Sequence, residues 1–211
     1  MTLLVCHCTN RGLVDREAMR RLRAAAAAAG WEVEDIPDLC AAAVNAADTV
    51  RRMLAVEGAV LCGCHERALQ AIQRSLGLDD APVPCVDLRR GSLDAALSRL
   101  GLTAAPGAAV PEPAATPVPD AWYPMLDRER CTDCGRCRDF CMFGVYEREP
   151  SGRVRVAAPL NCKTNCPACA RICPQNAIIF AKCPDRAING ESLSAAELEG
   201  ARIRLDPTEM A

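Results

Sequence analysis

Short apolar runs alternate with longer amphipathic segments through the first hundred residues of the chain. The apolar runs predict strands at residues 3–5, 32–36, 58–61 and 82–88. The amphipathic segments predict helices at residues 15–29, 41–55, 66–76 and 92–100. A fourfold alternation of strand and helix predicts a parallel sheet with helices on both faces.

The pattern changes after residue 102. Residues 103–121 contain five prolines and no long apolar side chain besides valine, which predicts an extended, semi-rigid tether. Beyond the tether, short segments are interrupted by cysteine, proline and glycine until Ser194-Ala-Ala-Glu197, whose spacing is typical of a capping box at the start of a helix. The sequence thus predicts an α/β domain at 1–102, a linker at 103–121, and a small α+β domain with a helical tail at 122–211.

Composition excludes several classes of function. Lys and Arg number 25 against 27 Asp and Glu, and 3% of residues are aromatic, so the chain lacks the basic surplus and the stacking side chains of a nucleic-acid-binding protein. No stretch of about 18 apolar residues could span a bilayer, and residues 1–8 lack the features of a secretory signal. We therefore expect a cytoplasmic protein whose 15 cysteines are reduced or bind metal rather than form disulfides.

Eight cysteines in the second half of the chain follow two copies of one spacing rule. Residues 131–141, CTDCGRCRDFC, have the spacing C-x-x-C-x-x-C-x-x-x-C, and residues 162–174, CKTNCPACARICP, repeat it with one extra residue in the first gap. Three thiolates in one tight loop can surround three corners of a 4Fe-4S cubane, while the fourth comes from elsewhere. Paired C-x-x-C motifs also bind zinc, but zinc does not require a separate fourth cysteine followed by proline.

These motifs resemble the bacterial two-cluster ferredoxin domain over residues 124–190. The resemblance implies two 4Fe-4S clusters with crossed ligands. One cluster would be held by Cys131, Cys134, Cys137 and Cys173, and the other by Cys141, Cys162, Cys166 and Cys169. The chain departs from the family at Met142, where proline is usual, and in the longer gap after Cys162. Arg136, inside the first loop, is expected to favour the reduced state of the nearby cluster, and Cys183 is expected to be a free or structural thiol.

Cysteines also follow the first three predicted strands. Cys6 and Cys8 close the first strand, Cys40 follows the second, and Cys62 and Cys64 close the third. In a flavodoxin-like or Rossmann-like sheet with strand order 2-1-3-4, the carboxyl ends of these strands are neighbours, so we expect all five thiols at one edge. They could hold a third iron–sulfur cluster, with His7 and His65 as ligands or as hydrogen-bond donors to it. Buried free cysteines are also common as small apolar residues, and Cys85 is expected to be one.

The first domain is similar to the amino-terminal domain of the A subunit of heterodisulfide reductase. The similarity rests on LLVCHCTN, DLC, VLCGCHERAL and VPCVDLRRGS within residues 3–97. The small iron–sulfur subunit of methyl-viologen-reducing hydrogenase is a second resemblance, because it also places cysteines after successive strands. The chain has no G-x-G-x-x-G, so it lacks the dinucleotide-binding motif of a flavin domain.

Together these features predict an iron–sulfur electron-transfer protein that relays single electrons between redox partners. The resemblances imply a subunit or satellite of a heterodisulfide-reductase-like or hydrogenase-type complex, with a flavoprotein, a hydrogenase or a heterodisulfide-reductase-type subunit as partner. No catalytic residue is assigned. Two alternatives stay open: a thiol–disulfide oxidoreductase that uses the amino-terminal cysteines, and an interaction module stabilised by zinc. Metal analysis identifies the zinc module, which would contain zinc but neither iron nor sulfide. The oxidoreductase is identified if mutation of the surplus amino-terminal thiols abolishes substrate reduction but leaves electron relay intact.

Overall fold

The computed structural model describes residues 1–79, 82–105, 111 and 117–201. The chain divides into two units, Met1–Ala121 and Trp122–Ala211. Most of the predicted tether, residues 106–110 and 112–116, lies outside the described residues, as do residues 202–211 of the predicted tail. No helix in the described part of the chain is long and apolar enough to cross a membrane.

A four-stranded parallel sheet forms the centre of the first unit, which confirms the sheet predicted from the sequence. Its strands are β1 (Thr2–Cys6), β2 (Glu32–Ile36), β3 (Ala59–Gly63) and β4 (Cys85–Asp87). They lie in the order β2-β1-β3-β4, and every neighbouring pair is parallel. All residues of β1 and β3 are buried, because helices cover both faces of a parallel sheet of this kind.

Five helices connect and cover these strands. They are α1 (Arg16–Ala28), α2 (Leu39–Asn45), α3 (Ala47–Leu54), α4 (Glu66–Ser75) and α5 (Leu93–Leu100). The Asp15 carboxylate begins α1 by accepting hydrogen bonds from the amides of Glu17 and Ala18, which otherwise have no partner in a first helical turn. Gly30, with φ of +76°, follows the end of the same helix in the left-handed conformation that glycine adopts without strain.

The single helix predicted over residues 41–55 is wrong. Ala46, with φ of −142° and ψ of 44°, leaves the helical region and separates α2 from α3. The Asn45 side chain donates a 2.9 Å hydrogen bond back to the Ala41 carbonyl, and asparagine competes with the helical backbone in this way. Helix α2 also begins earlier than predicted, because the buried Asp38 carboxylate caps it by accepting from the Ala41 amide.

The second unit is built from short elements. Strand β5 (Met125–Leu126) pairs with β8 (Ile178–Ile179), and β6 (Tyr146–Arg148) pairs with β7 (Val154–Val156), both antiparallel. The helices are α6 (Arg136–Phe140), α7 (Ala168–Arg171) and α8 (Ala195–Ala201), with a 3₁₀ turn at Pro159–Asn161. The predicted capping box is present: the Ser194 amide donates to the Glu197 carboxylate at 2.9 Å, and the Glu197 amide donates to Ser194 Oγ at 3.3 Å.

The core of the second unit is small and adjoins the cysteine motifs. The rings of Trp122 and Phe180 stack with centroids 5.2 Å apart, beside Val145, Val154 and Ile178. Cysteines at the rim of this core are Cys137, Cys141, Cys162 and Cys173, all partly buried. A core of this size offers little apolar burial. Metal bound by the rim cysteines would therefore add to the stability of the unit.

Candidate functional site

Four motif cysteines of the second unit line one cavity. Cys131 and Cys134 come from the loop that leads into α6, Cys137 lies in the first turn of α6, and Cys173 comes from the segment after α7. Side chains of Leu126, Val154 and Ile178 form the apolar part of the lining. The cavity therefore draws three cysteines from the first motif and one from the second, which is the set that the ferredoxin resemblance assigns to one cluster.

The other four motif cysteines line a second cavity. They are Cys141 of the first motif and Cys162, Cys166 and Cys169 of the second. Apolar side chains, among them Phe140, Met142 and Phe143, line the rest of this cavity together with Tyr146. The first cavity thus takes three cysteines from the first motif and one from the second. The second cavity takes one cysteine from the first motif and three from the second.

In both motif loops, a residue in the left-handed backbone conformation directly precedes the second cysteine. Asp133 directly precedes Cys134 and Asn165 directly precedes Cys166, with φ of +52° and +61°. Aspartate and asparagine tolerate this conformation better than other residues with a Cβ. The Asp133 carboxylate also accepts a 2.8 Å hydrogen bond from the Val154 amide in β7. The extra residue of the second motif lies ahead of Asn165, so it lengthens the loop without altering the turn into Cys166.

The motif sulfurs receive hydrogen bonds from the chain. The Ala177 amide donates to Cys173 Sγ at 3.4 Å, and the buried Tyr146 hydroxyl donates to Cys169 Sγ at 3.1 Å. Such donors stabilise negative charge on sulfur and influence the potential of a bound cluster. Tyr146 was not predicted from the sequence, because its distance along the chain from Cys169 gives no signal of this contact.

Burial disfavours free thiolates in both cavities. It raises the pKa of Cys137 and of Cys162 to about 12, and that of Cys169 to about 11. A thiolate becomes favourable there when cations compensate its charge, as iron does in a cluster. Among the described residues, no three His, Cys, Asp or Glu side chains are arranged to hold a single metal ion. Each cavity is lined by four cysteines, which is the number of thiolates that a 4Fe-4S group takes, so the donor sets fit such a group.

Three amino-terminal thiols lie near one another at the carboxyl edge of the parallel sheet. Cys64 is buried, and its ionisation is opposed by that burial and by the nearby Cys6 and Cys8. Cys6 Sγ accepts a 3.3 Å hydrogen bond from the Leu39 amide at the start of α2. Cys40, also buried, follows in the same helical turn. The end of β1, the end of β3 and the start of α2 therefore bring sulfur atoms to one region.

Cys62 differs from the expectation that all five thiols share this region. In the parallel register Val5 pairs with Cys62, and paired residues of neighbouring strands point to the same face. Successive residues of a strand point to opposite faces, so Cys62 lies on the face opposite to Cys6. The ionisable groups near it are Cys85 and Arg99, and its side chain is fully buried. Cys62 therefore lies apart from the group of Cys6, Cys8 and Cys64.

Each histidine follows an inner strand and contacts an aspartate of the edge strand beside it. His7 Nε2 lies 2.6 Å from Asp35 Oδ1 at the end of β2, and His65 Nδ1 lies 3.0 Å from Asp87 Oδ2 in β4. Burial raises the pKa of each carboxyl, but hydrogen bonds, those from the histidines foremost, outweigh it and lower the pKa of both. Each imidazole is thus fixed through one ring nitrogen, next in sequence to Cys6 or Cys64.

Cys6 and Cys64 are not activated as nucleophiles. Burial, with a smaller contribution from Cys8, raises the pKa of Cys6 to about 12. The pKa of Cys64 is also raised, again mainly by burial. A catalytic cysteine needs a lowered pKa and partial exposure, and neither thiol has them. The raised pKa values and the burial of these two thiols therefore disfavour Cys6 and Cys64 as the attacking nucleophile of a thiol–disulfide reaction.

Comparison with known proteins assigns the second unit to a family. A family model described as a 4Fe-4S dicluster domain matches residues 123–174. An uncharacterized ferredoxin of Methanocaldococcus jannaschii is 39% identical over 58 residues, which are 26% of this chain and 74% of that protein. The chain belongs to the 4Fe-4S dicluster ferredoxins. Its ferredoxin region therefore supports iron–sulfur clusters and an electron-transfer role.

Two further relatives match the ferredoxin region. Another uncharacterized ferredoxin of M. jannaschii is 46% identical over 69 residues, covering 32% of this chain and 44% of that protein. Ferredoxin-3 of Nostoc sp. is 33% identical over 78 residues, covering 27% of this chain and 79% of that protein. The chain thus spans less than half the length of the first of these two relatives.

Proposed function

We propose that this ferredoxin relays single electrons between redox partner proteins as a subunit or satellite of a heterodisulfide-reductase-like or hydrogenase-type complex. The observation that carries the electron-transfer part is the pair of cavities, each lined by four cysteines drawn from both motifs. The similarity of the first unit to the heterodisulfide reductase A subunit supports the type of complex. Candidate partners are a flavoprotein, a hydrogenase and a heterodisulfide-reductase-type subunit.

The residues of the second unit have distinct roles in this proposal. Cys131, Cys134, Cys137 and Cys173 hold one 4Fe-4S cluster, which we call the first cluster, and Cys141, Cys162, Cys166 and Cys169 hold the second cluster. The clusters supply reversible one-electron transfer when bound. The amide of Ala177 and the hydroxyl of Tyr146 stabilise charge on one ligand of each set. Apolar lining residues limit the access of water to the sulfurs.

The first unit is proposed to hold a third iron–sulfur cluster. The grouping of Cys6, Cys8 and Cys64, with Cys40 in the adjoining turn of α2, supports a ligand set of these four cysteines. Cys62 was part of the set predicted from the sequence, but its position on the other face of the sheet favours a structural role. His7 and His65 would act through their remaining ring nitrogens, as hydrogen-bond donors or as ligands.

Metal content and magnetic resonance test this function. The full chain, purified without oxygen, is analysed for iron, zinc and acid-labile sulfide, and the reduced protein is examined by electron paramagnetic resonance. About eight irons per chain are expected when the second unit alone is loaded, and about twelve when the first unit also holds a 4Fe-4S cluster. Stoichiometric zinc without iron or sulfide would show instead that the chain is a zinc-stabilised module.

The potentials of the two clusters are expected to respond to different residues. Tyr146→Phe removes a hydrogen bond to a ligand of the second cluster and should lower its potential by about 40 mV, equivalent to about 1 kcal/mol for one electron. Arg136→Ala removes a positive charge that lines the first cavity, so it should lower only the potential of the first cluster, and by less because Arg136 is exposed to solvent. Redox titration followed by paramagnetic resonance measures both shifts. Equal shifts of both clusters in either variant would contradict the assignment.

A further inference from the structure

Exposed apolar side chains flank one of the two cavities. Phe140, Met142 and Phe143 are 53%, 87% and 37% exposed, and Leu160, two residues before Cys162, is 67% exposed. These four residues, which we call the apolar collar, are the large exposed hydrophobic side chains of the second unit among its described residues. Their sequence neighbours Cys141 and Cys162 line the second cavity. Large apolar side chains concentrated at one surface are typical of a protein–protein contact.

The two cysteine motifs differ in the residues that flank their last cysteine. Cys141 of the first motif is flanked by Phe140 and Met142, whereas Cys173 of the second motif is flanked by Ile172 and Pro174, which are half-buried. The first cavity is lined on its polar side by Thr132, Asp133, Arg136 and Gln175. Of the two cysteine-lined cavities, only the second therefore has large exposed apolar side chains beside it among the described residues, and Met142, where the family usually has proline, is the most exposed of them.

The charge beside the collar is positive. Lys163 lines the second cavity and is exposed, and it forms no ion pair with any described residue. The neighbouring Arg138, in contrast, is paired with Asp139 at 2.5 Å. The collar thus presents apolar side chains and one uncompensated cation. A partner that fits this surface is apolar at its centre and carries a carboxylate opposite Lys163.

We propose that the apolar collar is the docking surface for an electron-transfer partner protein with an apolar, acidic surface around its own redox centre. The inference rests on the proposed function and adds the place where electrons enter or leave the chain. Docking at the collar would bring the partner next to the ligands of the second cluster and exclude water from the contact. The first cluster, which has no large exposed apolar side chain beside it among the described residues, would exchange electrons through the second.

Electron-transfer rates to two acceptor proteins test the docking surface. The full chain is reduced with dithionite and mixed in a stopped-flow instrument with cytochrome b5, which has an acidic surface, or with cytochrome c, which has a basic one. Met142→Gln is expected to lower the second-order rate constant with cytochrome b5 about tenfold. Lys163→Glu is expected to lower the rate constant with cytochrome b5 about tenfold and to raise it with cytochrome c.

Matched variants separate docking from other effects. Val56→Gln makes the same kind of change at an exposed apolar residue of the first unit, and Arg52→Glu makes the same charge change there. Both should leave the two rate constants unchanged. Leu160→Gln alters a collar residue that lines neither cavity. It should lower the rate constant with cytochrome b5 and leave unchanged the rate with hexaammineruthenium(III), a small hydrophilic acceptor.

Two results would count against these proposals in different ways. If Met142→Gln reacts with cytochrome b5 as fast as the wild type and Val56→Gln do, the collar is not the docking surface, although electron transfer stands. If the reduced chain passes electrons to none of the three acceptors, the proposed function itself is overturned, and the docking inference with it.

Discussion

Replacing Cys173 by alanine is expected to remove about four irons per chain and to leave the second cluster in place. Cys173 lies beside the other cysteines of its own motif in sequence, but it lines the cavity of Cys131, Cys134 and Cys137. The reason is that Cys173 supplies one of the four thiolates that would hold the first cluster. Iron analysis and paramagnetic resonance of the reduced full chain measure the loss.

The identity of the remaining cluster decides whether the ligands are crossed. In the Cys173→Ala background, adding Tyr146→Phe should lower the potential that remains, because Tyr146 contacts Cys169. Adding Arg136→Ala should not change it. The reverse pattern would mean that each motif holds its own cluster. Cys183→Ala is the matched control, since Cys183 is 2% exposed but lines neither cavity, and it should retain all iron.

Asp35→Asn is expected to destabilise the first unit by about 3 kcal/mol, because it leaves a buried arginine without its counter-charge. Arg23 is 3% exposed, and its Nη2 lies 2.6 Å from Asp35 Oδ2. Its other hydrogen bond goes to the Pro111 carbonyl. Asp35 also holds His7. Hydrogen exchange in increasing urea, read from peptides that cover β1 and β2 of the full chain, measures the change.

An exposed ion pair provides the control for Asp35→Asn. Asp48 pairs with Arg51 on the surface of α3, and its side chain is 83% exposed. Pairs of this kind contribute less than about 1 kcal/mol, so Asp48→Asn should leave the exchange of the same peptides nearly unchanged. Equal effects of the two substitutions would show that burial of Arg23 does not determine the result.

The stability that Asp35 contributes should depend on pH. Burial raises the pKa of its carboxyl, but the hydrogen bonds from His7 and Arg23 outweigh burial and lower the pKa below the ordinary value. The contribution is therefore complete above the unfolded value of about 4, and it is lost as the pH falls through the lower, folded value. The difference between the wild type and Asp35→Asn should shrink in acid, and a constant difference down to pH 2 would contradict the cause.

Apolar periodicity is sufficient to predict the sheet of the first unit, because runs such as residues 3–5 and 59–61 are buried on both faces. It does not predict the break at Ala46. Ala41–Ala55 is rich in alanine, which favours a continuous helix, and the competing hydrogen bond of Asn45 depends on a particular side-chain rotamer. Local propensity therefore identifies the helical region but not its division.

Cysteine spacing predicts much of the grouping of cysteines in the second unit, but less of it in the first. Ligand loops are local, so spacing indicates which three cysteines of each motif can share a cavity, whereas the crossed fourth cysteine was predicted from the resemblance to ferredoxins. Cys62 and Cys64 are also closely spaced, but β3 ends at Gly63 and the chain then turns. Strand alternation directs Cys62 to one face, while the turn brings Cys64 to Cys6. The direction of a side chain beyond the end of a strand depends on that turn, which the spacing does not contain.

The sharing of both cavities by both motifs constrains how the protein is made. Under the proposed ligation, a nascent chain on the ribosome exposes Cys131, Cys134 and Cys137 well before Cys173 has been translated. Cys141 is likewise translated before the three cysteines with which it would hold the second cluster. Neither centre can then be completed during synthesis of the first motif alone. Delivery of iron and sulfide by the biosynthetic machinery would have to follow translation of nearly the whole ferredoxin region.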